Sequence, residues 1–445
     1  MWDDLSELKK NIYFSITIFL LILTFSLWSN PSLTPKISPD SLGYISMAKD
    51  FKRDISEIRP FAFPLFIRIC MEFKQANWQS VFSIIQIIFH ASLTSYLFCA
   101  FQKFQIKRGV AFFLTLCIGL NPNLIYYTTY VLADYLFAVI TTISWIYTIK
   151  YNEQFYTKEK KIKNLVIIGL FSGLAIVTKP IALLLIFPII FSILCIHGIN
   201  IRIMKQMVLL IILNFSFHFL WDGYKTKHNP QLKFELLDSI ELGINLTALR
   251  AGLVDVGVGT PLYNYIEEKN MLNIAREFKI KTSYTMDNQP KFWEFKQALS
   301  WEIKNDKAFA LQILNKEPWK IFIASISNWH SFFTKRCFYP GIGSFPSMPD
   351  SIRNIYVAGY AMLYRPFLLI LLIISFCILW RKKLYNLFYS TGSLLFYSSI
   401  TVTMLSAHGG EFIRYRVWVE YIMWFLCLIP IGYLVQFLLE KLNID

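Results

Sequence analysis

Residues 12–29 read IYFSITIFLLILTFSLWS, and residues 38–44, a short loop later, read SPDSLGY. The first stretch is apolar and nearly as long as a membrane-crossing helix, which needs about 20 residues. The second stretch places Asp40 just outside that span, beside a low-dielectric membrane core where a carboxylate is costly unless it is paired or has a function. The pattern predicts a membrane-embedded fold and makes Asp40 the leading candidate for a catalytic residue.

The whole chain shares the apolar character of this first span. Of its 445 residues, 55% are hydrophobic, 17% are aromatic and only 16% are charged, which is too apolar for a soluble fold of this size. The formal net charge is +15, but the lysines and arginines are scattered between apolar runs, so no nucleic acid partner is predicted. The seven cysteines form no CxxC pair, which argues against a disulfide framework and a structural zinc site.

Apolar runs of nearly membrane-spanning length recur along the chain. They lie at residues 12–29, 79–101, 109–126, 131–149, 164–178, 181–197, 206–222, 357–380, 386–405 and 417–437. The run at 164–178 is short and is followed by Pro180, which suits a tilted or broken helix. The predicted fold class is an all-α polytopic membrane protein with about ten transmembrane helices.

Basic residues in the short loops predict the orientation of these helices, because such residues concentrate on the cytoplasmic side. The basic loops that fall on one side are at residues 9–10, 103–108, 150–163, 202–205 and 381–383. We therefore predict a multi-pass protein of the cytoplasmic (inner) membrane with both termini in the cytoplasm.

Three regions follow from this topology. Residues 1–222 form an N-terminal membrane domain with the first outer loop at 30–78, residues 223–356 form an outer-face (periplasmic) segment, and residues 357–445 contribute the C-terminal transmembrane helices. Apolar residues recur at helical spacing from Lys291 to Lys316, so the outer segment is predicted to be rich in α-helix.

Two interpretations of Asp40 are compatible with its surroundings. The apolar residues from Tyr44 to Phe51 have the spacing of a helix that lies on the membrane, which would put Asp40 near the N-terminus of that helix. The ordinary interpretation is helix capping by the Pro39-Asp40-Ser41 triplet, because a side-chain oxygen at that place accepts backbone N–H groups. The other is catalysis, and the spacing leaves both open.

Asp134 and Lys179 are the other charged residues at the predicted outer ends of spans. A carboxylate at the depth of Asp134 usually faces the protein interior or a water-filled cavity, and the alternative is a pair with a nearby lysine or an aromatic hydroxyl. Lys179 could bind a substrate anion, or could extend its side chain to the lipid headgroups.

The turn before the last span, residues 408–416, reads HGGEFIRYR. Arg414 and Arg416 beside two glycines suit a phosphate or diphosphate, because guanidinium binds its oxygens in a bidentate manner and glycine allows close backbone approach. His408 completes this candidate site. Arg59, before Pro60, is a further candidate for substrate binding, although it could be structural.

Several other functions lack their sequence signals. The chain contains no P-loop, no dinucleotide fingerprint and no HExxH motif, so an ATP-driven pump and a zinc protease have no support. No cofactor is predicted, and nothing in the sequence supports a divalent metal.

With these residues in view, the chain resembles the GT-C superfamily of membrane glycosyltransferases, particularly the bacterial branch similar to protein mannosyltransferases and to the aminoarabinose transferase of lipid A. The resemblance depends on the order of motifs, which are PDSLGY at 39–44, Arg59-Pro60 with Pro64, Asn121-Pro122 with Asp134, GLFSGLA at 169–175 with Lys179-Pro180, and EFIRYR at 411–416. Members often carry an acidic pair where this chain has Asp40-Ser41, and an arginine where it has Lys179.

The resemblance implies an enzyme that uses a polyprenyl-phosphate-linked sugar as donor and a lipid, glycan or protein as acceptor on the outer face of the membrane. It also implies inversion of the anomeric centre, with Asp40 as general base and nearby cations on the departing phosphate. The alternative is a non-catalytic carrier or flippase for lipid-linked sugars, in which the same cations would guide the headgroup.

Overall fold

A computed structural model describes residues 2–52, 59–73, 75–153, 158–229, 238–277, 306–327, 329–334, 345–364, 366–405 and 409–442. These residues form helices and turns without any strand, and a lone parallel bridge joins Lys36 to Tyr130. The all-α class predicted from the sequence is confirmed for this part of the chain.

The first ten described helices reach residue 228. They are α1 (Trp2–Ser29), α2 (Pro39–Lys49), α3 (Ala62–Phe73), α4 (Trp78–Gln102), α5 (Arg108–Gly119), α6 (Pro122–Thr128), α7 (Ala133–Asn152), α8 (Lys158–Ile176), α9 (Ile186–His197) and α10 (Ile201–His228).

Ten more helices follow among the described residues. They are α11 (Asp238–Arg250), α12 (Pro261–Glu268), α13 (Leu272–Glu277), α14 (Lys307–Lys316), α15 (Pro318–Ser327), α16 (Trp329–Thr334), α17 (Asp350–Leu363), α18 (Pro366–Arg381), α19 (Tyr385–Leu405) and α20 (Gly409–Lys441). The helix predicted from Lys291 to Lys316 is present as α14, and its earlier part lies outside the described residues.

Fewer helices than predicted are long and apolar enough to cross a membrane in the part of the chain that the structure describes. Among the described residues, five helices are long and apolar enough to cross a membrane, namely Lys9–Ser29, Trp78–Gln102, Pro180–His197, Ile201–His228 and Arg414–Lys441. Two bent pairs, α5 with α6 and α17 with α18, raise the number to seven. Three further predicted spans, at 131–149, 164–178 and 386–405, are occupied by α7, α8 and α19. These three helices are not in the set that is long and apolar enough to cross a membrane. The prediction of about ten transmembrane helices is therefore not confirmed.

The chain divides into two compact units. The first comprises Met1–Leu232, Arg336–Leu395 and Val417–Asp445, and the second comprises Lys233–Lys335 and Phe396–Arg416. The second unit therefore takes in residues 396–416 in addition to most of the predicted outer-face segment.

In the first unit, α8 packs against both α7 and α10. Gly173 makes the second of these contacts possible, because a Cβ at this position would lie 2.7 Å from the backbone oxygen of Asn214. The close packing of α8 and α10 fixes the turn after α8, which carries Lys179.

In the second unit, α11 to α15 surround a small apolar core that includes Phe309 and Leu262, both buried. Asp306 connects two of these helices, because Oδ1 accepts from the Phe309 N–H at 2.9 Å and Oδ2 accepts from the Leu262 N–H at 2.6 Å. One buried carboxylate thus satisfies backbone donors at the starts of α14 and α12.

Candidate active site

The helix predicted after Asp40 is α2, and Asp40 lies in its first turn. Its N-cap is Ser38, whose hydroxyl accepts from the Ser41 backbone N–H at 3.3 Å, while the Ser41 hydroxyl accepts from the Ser38 backbone N–H at 2.9 Å. This reciprocal capping box corrects the interpretation that Pro39-Asp40-Ser41 supplies the cap. The capping position lies two residues before Asp40, which stands in the first turn of the helix, where a carboxylate also interacts favourably with the helix dipole.

The Arg59 guanidinium lies against the first turns of α2. Its Nη2 is 3.8 Å from Asp40 Oδ1, and its Cζ is 5.3 Å from the centre of the Tyr44 ring. Gly43 permits this position, because a Cβ there would be 2.2 Å from Arg59 Nη1. The Arg59 and Asp40 side chains are 29% and 49% exposed, so the attraction between them is weak and both groups are accessible from solvent.

A backbone pairing ties the start of the first loop to the turn before α7. The Lys36 N–H donates to the Thr129 carbonyl at 2.7 Å, and the Val131 N–H donates to the Lys36 carbonyl at 3.0 Å. The Lys36 ammonium lies 4.0 Å from the centre of the Tyr126 ring, and burial lowers the pKa of Lys36 to about 8. Lys36 is not among the site residues predicted from the sequence. The only feature of the sequence that points to it is its position four residues before Asp40.

A second backbone contact ties the segment after Arg59 to the turn after α8. The Ala62 N–H donates to the Val177 carbonyl at 2.9 Å. Phe61 adds an aromatic contact, with its ring centre 5.1 Å from that of Trp221 on α10. The segment that contains Arg59 is therefore held close to Lys179 by these two contacts.

Asp134 and Lys179 form an ion pair between Oδ1 and Nζ that joins the start of α7 to the turn after α8. Only 2% of the Asp134 side chain and 14% of the Lys179 side chain are exposed, so neither charge is left to face the membrane core alone. The structure thus contains the lysine pair that was one interpretation of Asp134. It also gives Lys179 a carboxylate partner. A lysine that extends to the lipid headgroups would not need such a partner.

Four contacts connect the segments at one end of the first unit into a ring. They are the pairing of Lys36 with Tyr130, the ion pair of Asp134 with Lys179, the hydrogen bond of Ala62 with Val177, and the approach of Arg59 to Asp40. Of the predicted site residues, Asp40, Arg59, Asp134 and Lys179 are brought to this end of the unit.

The remaining predicted site residues lie in the stretch 408–416, which the sequence predicted to be a turn. The structure instead begins α20 at Gly409, so Arg414 and Arg416 are in the first turns of this helix. Arg416 is buried in the second unit and donates from Nη1 to the Phe332 carbonyl at 2.6 Å, so part of its hydrogen-bonding capacity is structural. Arg414 is partly exposed, and its Cζ is 5.8 Å from the centre of the Tyr415 ring. His408 lies outside the described residues.

Glu420 on α20 was not selected from the sequence, although it is fully buried. It accepts from the Tyr364 hydroxyl at 2.8 Å, from Trp424 Nε1 at 3.0 Å and from Asn123 Nδ2 at 3.4 Å. These donors come from three separate parts of the first unit, so this carboxylate connects α6, the end of α17 and α20. Within the described part of the chain, no group of three or more potential His, Cys, Asp or Glu ligands is placed to hold a metal.

Part of the chain matches a known protein family. Residues 53–224 match the sequence model of the Alg9-like mannosyltransferase family, a stretch that contains Arg59, Asp134 and Lys179 and begins after Asp40. No curated protein sequence matches the chain.

Two solved structures resemble the fold. The crystal structure of ArnT from Cupriavidus metallidurans in the apo state shows 11% identity and a TM-score of 0.37, covering 95% of this chain and 77% of that one. The crystal structure of ArnT from the same organism bound to undecaprenyl phosphate shows 10% identity and a TM-score of 0.38, covering 95% of this chain and 78% of that one.

The fold defines the chain as an all-α, multi-pass membrane protein. The family match over residues 53–224 supports the resemblance to membrane glycosyltransferases of the GT-C type, and with it glycosyltransferase activity.

Proposed function

We propose that the protein transfers a sugar from a polyprenyl-phosphate donor to a lipid, glycan or protein acceptor on the outer face of the cytoplasmic membrane, with inversion of the anomeric centre. Asp40 is the general base. The observation that carries this proposal is the arrangement at the start of α2, where Ser38 provides the cap and the Asp40 carboxylate lies in the first turn beside the Arg59 guanidinium.

The proposed reaction is a single displacement. Asp40 takes the proton from the acceptor hydroxyl while the acceptor oxygen forms a bond to the anomeric carbon of the sugar. The bond from that carbon to the donor phosphate oxygen breaks, and the phosphate leaves with the electron pair. The partly exposed carboxylate suits this role, because a base must reach an acceptor that arrives from outside the protein.

The departing phosphate needs positive charge that is already in position. Arg59 is a candidate because its Nη2 lies 3.8 Å from Asp40 Oδ1, and packing across Gly43 limits the positions that its guanidinium can take. Arg414, Arg416 and His408 are proposed as further phosphate contacts. Because Arg416 already donates a hydrogen bond to the Phe332 carbonyl, Arg414 is proposed to bind the phosphate more strongly than Arg416 does.

Asp134 and Lys179 are proposed to border the substrate site as a fixed pair. The pair holds the start of α7 and the turn after α8 together, and the Lys179 charge adds to the potential felt by an anionic donor. Because Asp134 already neutralises much of this charge, we assign Lys179 a smaller share of phosphate binding than Arg59.

The decisive substitution is Asp40→Asn. A general base contributes about a hundredfold to ten-thousandfold in rate, so this change should nearly abolish transfer while donor binding and protein levels persist. The matched control is Asp50→Asn, the same change at the C-cap residue of the same helix, which should keep near-normal transfer.

The measurement begins with mass spectrometry of glycolipids and surface glycans from a deletion strain, to identify the sugar that is lost. Wild-type protein and Asp50→Asn should restore that sugar, and Asp40→Asn should not. Purified protein in liposomes then gives the transfer rate with the corresponding lipid-linked donor. Full transfer by purified Asp40→Asn would remove Asp40 from catalysis.

A further inference from the structure

A buried histidine lies inside the helix bundle of the first unit, and the proposed reaction does not use it. His90 is fully buried on α4, one of the helices that can cross a membrane. Both of its ring nitrogens make hydrogen bonds, Nε2 with the Gly119 carbonyl at 2.8 Å and Nδ1 with the Tyr421 hydroxyl at 2.5 Å. A titratable side chain within a membrane span is costly and usually has a function, so the partners of His90 indicate what it does.

One partner of His90 is a backbone group at a break between two helices. Gly119 is the last residue of α5, and α5 and α6 together form a span that bends by 52°. The last carbonyls of a helix have no partner within that helix, and inside a membrane they need a donor from elsewhere in the protein. The glycine lets the break approach α4 closely, since a Cβ there would be 2.7 Å from Thr94 Cγ2. His90 therefore fixes the break to α4.

The other partner of His90 leads to the start of α7. A carbonyl can only accept, so His90 Nε2 carries a proton, and Nδ1 of the neutral ring accepts from the Tyr421 hydroxyl. The Tyr421 oxygen lies 2.7 Å from the Tyr135 hydroxyl and accepts a hydrogen bond from it. Both tyrosines are fully buried. The hydrogen bonds therefore run from Tyr135 of α7 through Tyr421 of α20 to His90 of α4.

Tyr135 directly follows Asp134 in the first turn of α7. The N-cap residue of this helix is Leu132, an apolar side chain that offers no acceptor to the first backbone N–H groups. The Tyr135 hydroxyl instead ties the helix start to two neighbouring helices. Asp134 pairs with Lys179, so the position of this turn decides where both charges lie.

We propose that Tyr135 is a positioning residue for the ion pair of Asp134 with Lys179, and that Tyr421 and His90 hold it in this role. The inference rests on the proposed function, in which that pair borders the site of the donor phosphate. Tyr135 acts through the first turn of α7, which can shift when the hydroxyl bond is lost. A displacement of about 1 Å is enough to weaken an interaction that depends on orientation.

The test measures how tightly the purified full-length protein in nanodiscs binds undecaprenyl phosphate, a polyprenyl phosphate of the kind that leaves in the proposed reaction. Tyr135→Phe removes the hydroxyl and keeps the ring, so binding should weaken about two- to tenfold, the range that one hydrogen bond covers. Tyr421→Phe interrupts the same hydrogen bonds and should weaken binding to a similar extent. Undecaprenol, which lacks the phosphate, should bind both variants as it binds wild type.

The matched control is Tyr151→Phe, the same change near the other end of α7. The buried Tyr151 donates from its hydroxyl to Gln206 Oε1 at 2.6 Å, so this variant loses a hydrogen bond of the same kind. Both variants should lower the unfolding temperature, but only Tyr135→Phe should weaken the binding of undecaprenyl phosphate. Equal weakening by the two variants would mean a general loosening of the bundle and would overturn the proposal.

Lys179→Gln separates this inference from the proposed function. Lys179→Gln should itself weaken the binding of undecaprenyl phosphate, and adding Tyr135→Phe should cost little more, because residues that act through one contact are not additive. Full additivity would overturn the role of Tyr135 and leave the ion pair at the donor site. Unchanged binding by Lys179→Gln would remove the pair from the donor site and the role of Tyr135 with it. If Tyr135→Phe does not fold, Tyr421→Phe takes its place in the same comparisons.

Discussion

At the scale of single residues, Gly43 controls where the Arg59 guanidinium can lie. A Cβ on residue 43 would be 2.2 Å from Arg59 Nη1 and 2.5 Å from its Cζ, so Gly43→Ala must displace the guanidinium. The displaced group is the end of a flexible side chain, and alanine favours a helix over glycine by about 0.5–1 kcal/mol, so we expect stability to be kept or slightly raised. Donor use should weaken by about 1.5–3 kcal/mol, the value of one charged hydrogen bond.

Kinetics with varied donor concentration, together with thermal unfolding in detergent, would measure both effects. Gly223→Ala on α10 is the matched control, since a Cβ there meets nothing within 4 Å and should leave donor use unchanged. Normal donor use by Gly43→Ala would show that the position of Arg59 beside α2 is irrelevant to the donor.

At the scale of helices, the packing of α8 on α10 depends on Gly173. A Cβ at this position would be 2.7 Å from the Asn214 carbonyl oxygen and 3.0 Å from the Leu213 carbonyl oxygen. Backbone atoms cannot rotate away as a side-chain end can, so Gly173→Ala should push the two helices apart. Overpacking of this kind costs about 1–3 kcal/mol, which we expect as a lower unfolding temperature in detergent.

Gly392→Ala on α19 provides the comparison for this helix contact. Its nearest neighbour would be Phe376 Cε1 at 3.4 Å, an ordinary contact distance, so stability should stay the same or rise slightly. Equal unfolding temperatures for the two variants would contradict the close contact of α8 and α10.

At the scale of the whole molecule, the one-sided basic loops predict an orientation that the proposed function uses. A cysteine introduced at position 160 should react with a membrane-impermeant maleimide only after the cells are permeabilised. A cysteine at Ser32, exposed in the loop after α1, should react in intact cells. All seven native cysteines must first be replaced. Labelling of position 160 in intact cells would reverse the topology, and Asp40 would then face the cytoplasm.

The sequence alone was enough to predict the all-α membrane class and the helix that begins near Asp40, because run length, proline position and helical spacing are local properties of the chain. Its residue types also selected Asp40, Arg59, Asp134 and Lys179. Local pattern placed the cap of α2 too late, since Ser38 and Asp40 are both good capping residues and the choice depends on backbone geometry.

Only the tertiary structure decided which of these charges meet. Asp134 and Lys179 are 45 residues apart in sequence, and Lys36 lies far from Tyr130, so neither contact leaves a periodic signal. Each depends on how α7, α8 and α10 pack, which is a sum of many side-chain contacts.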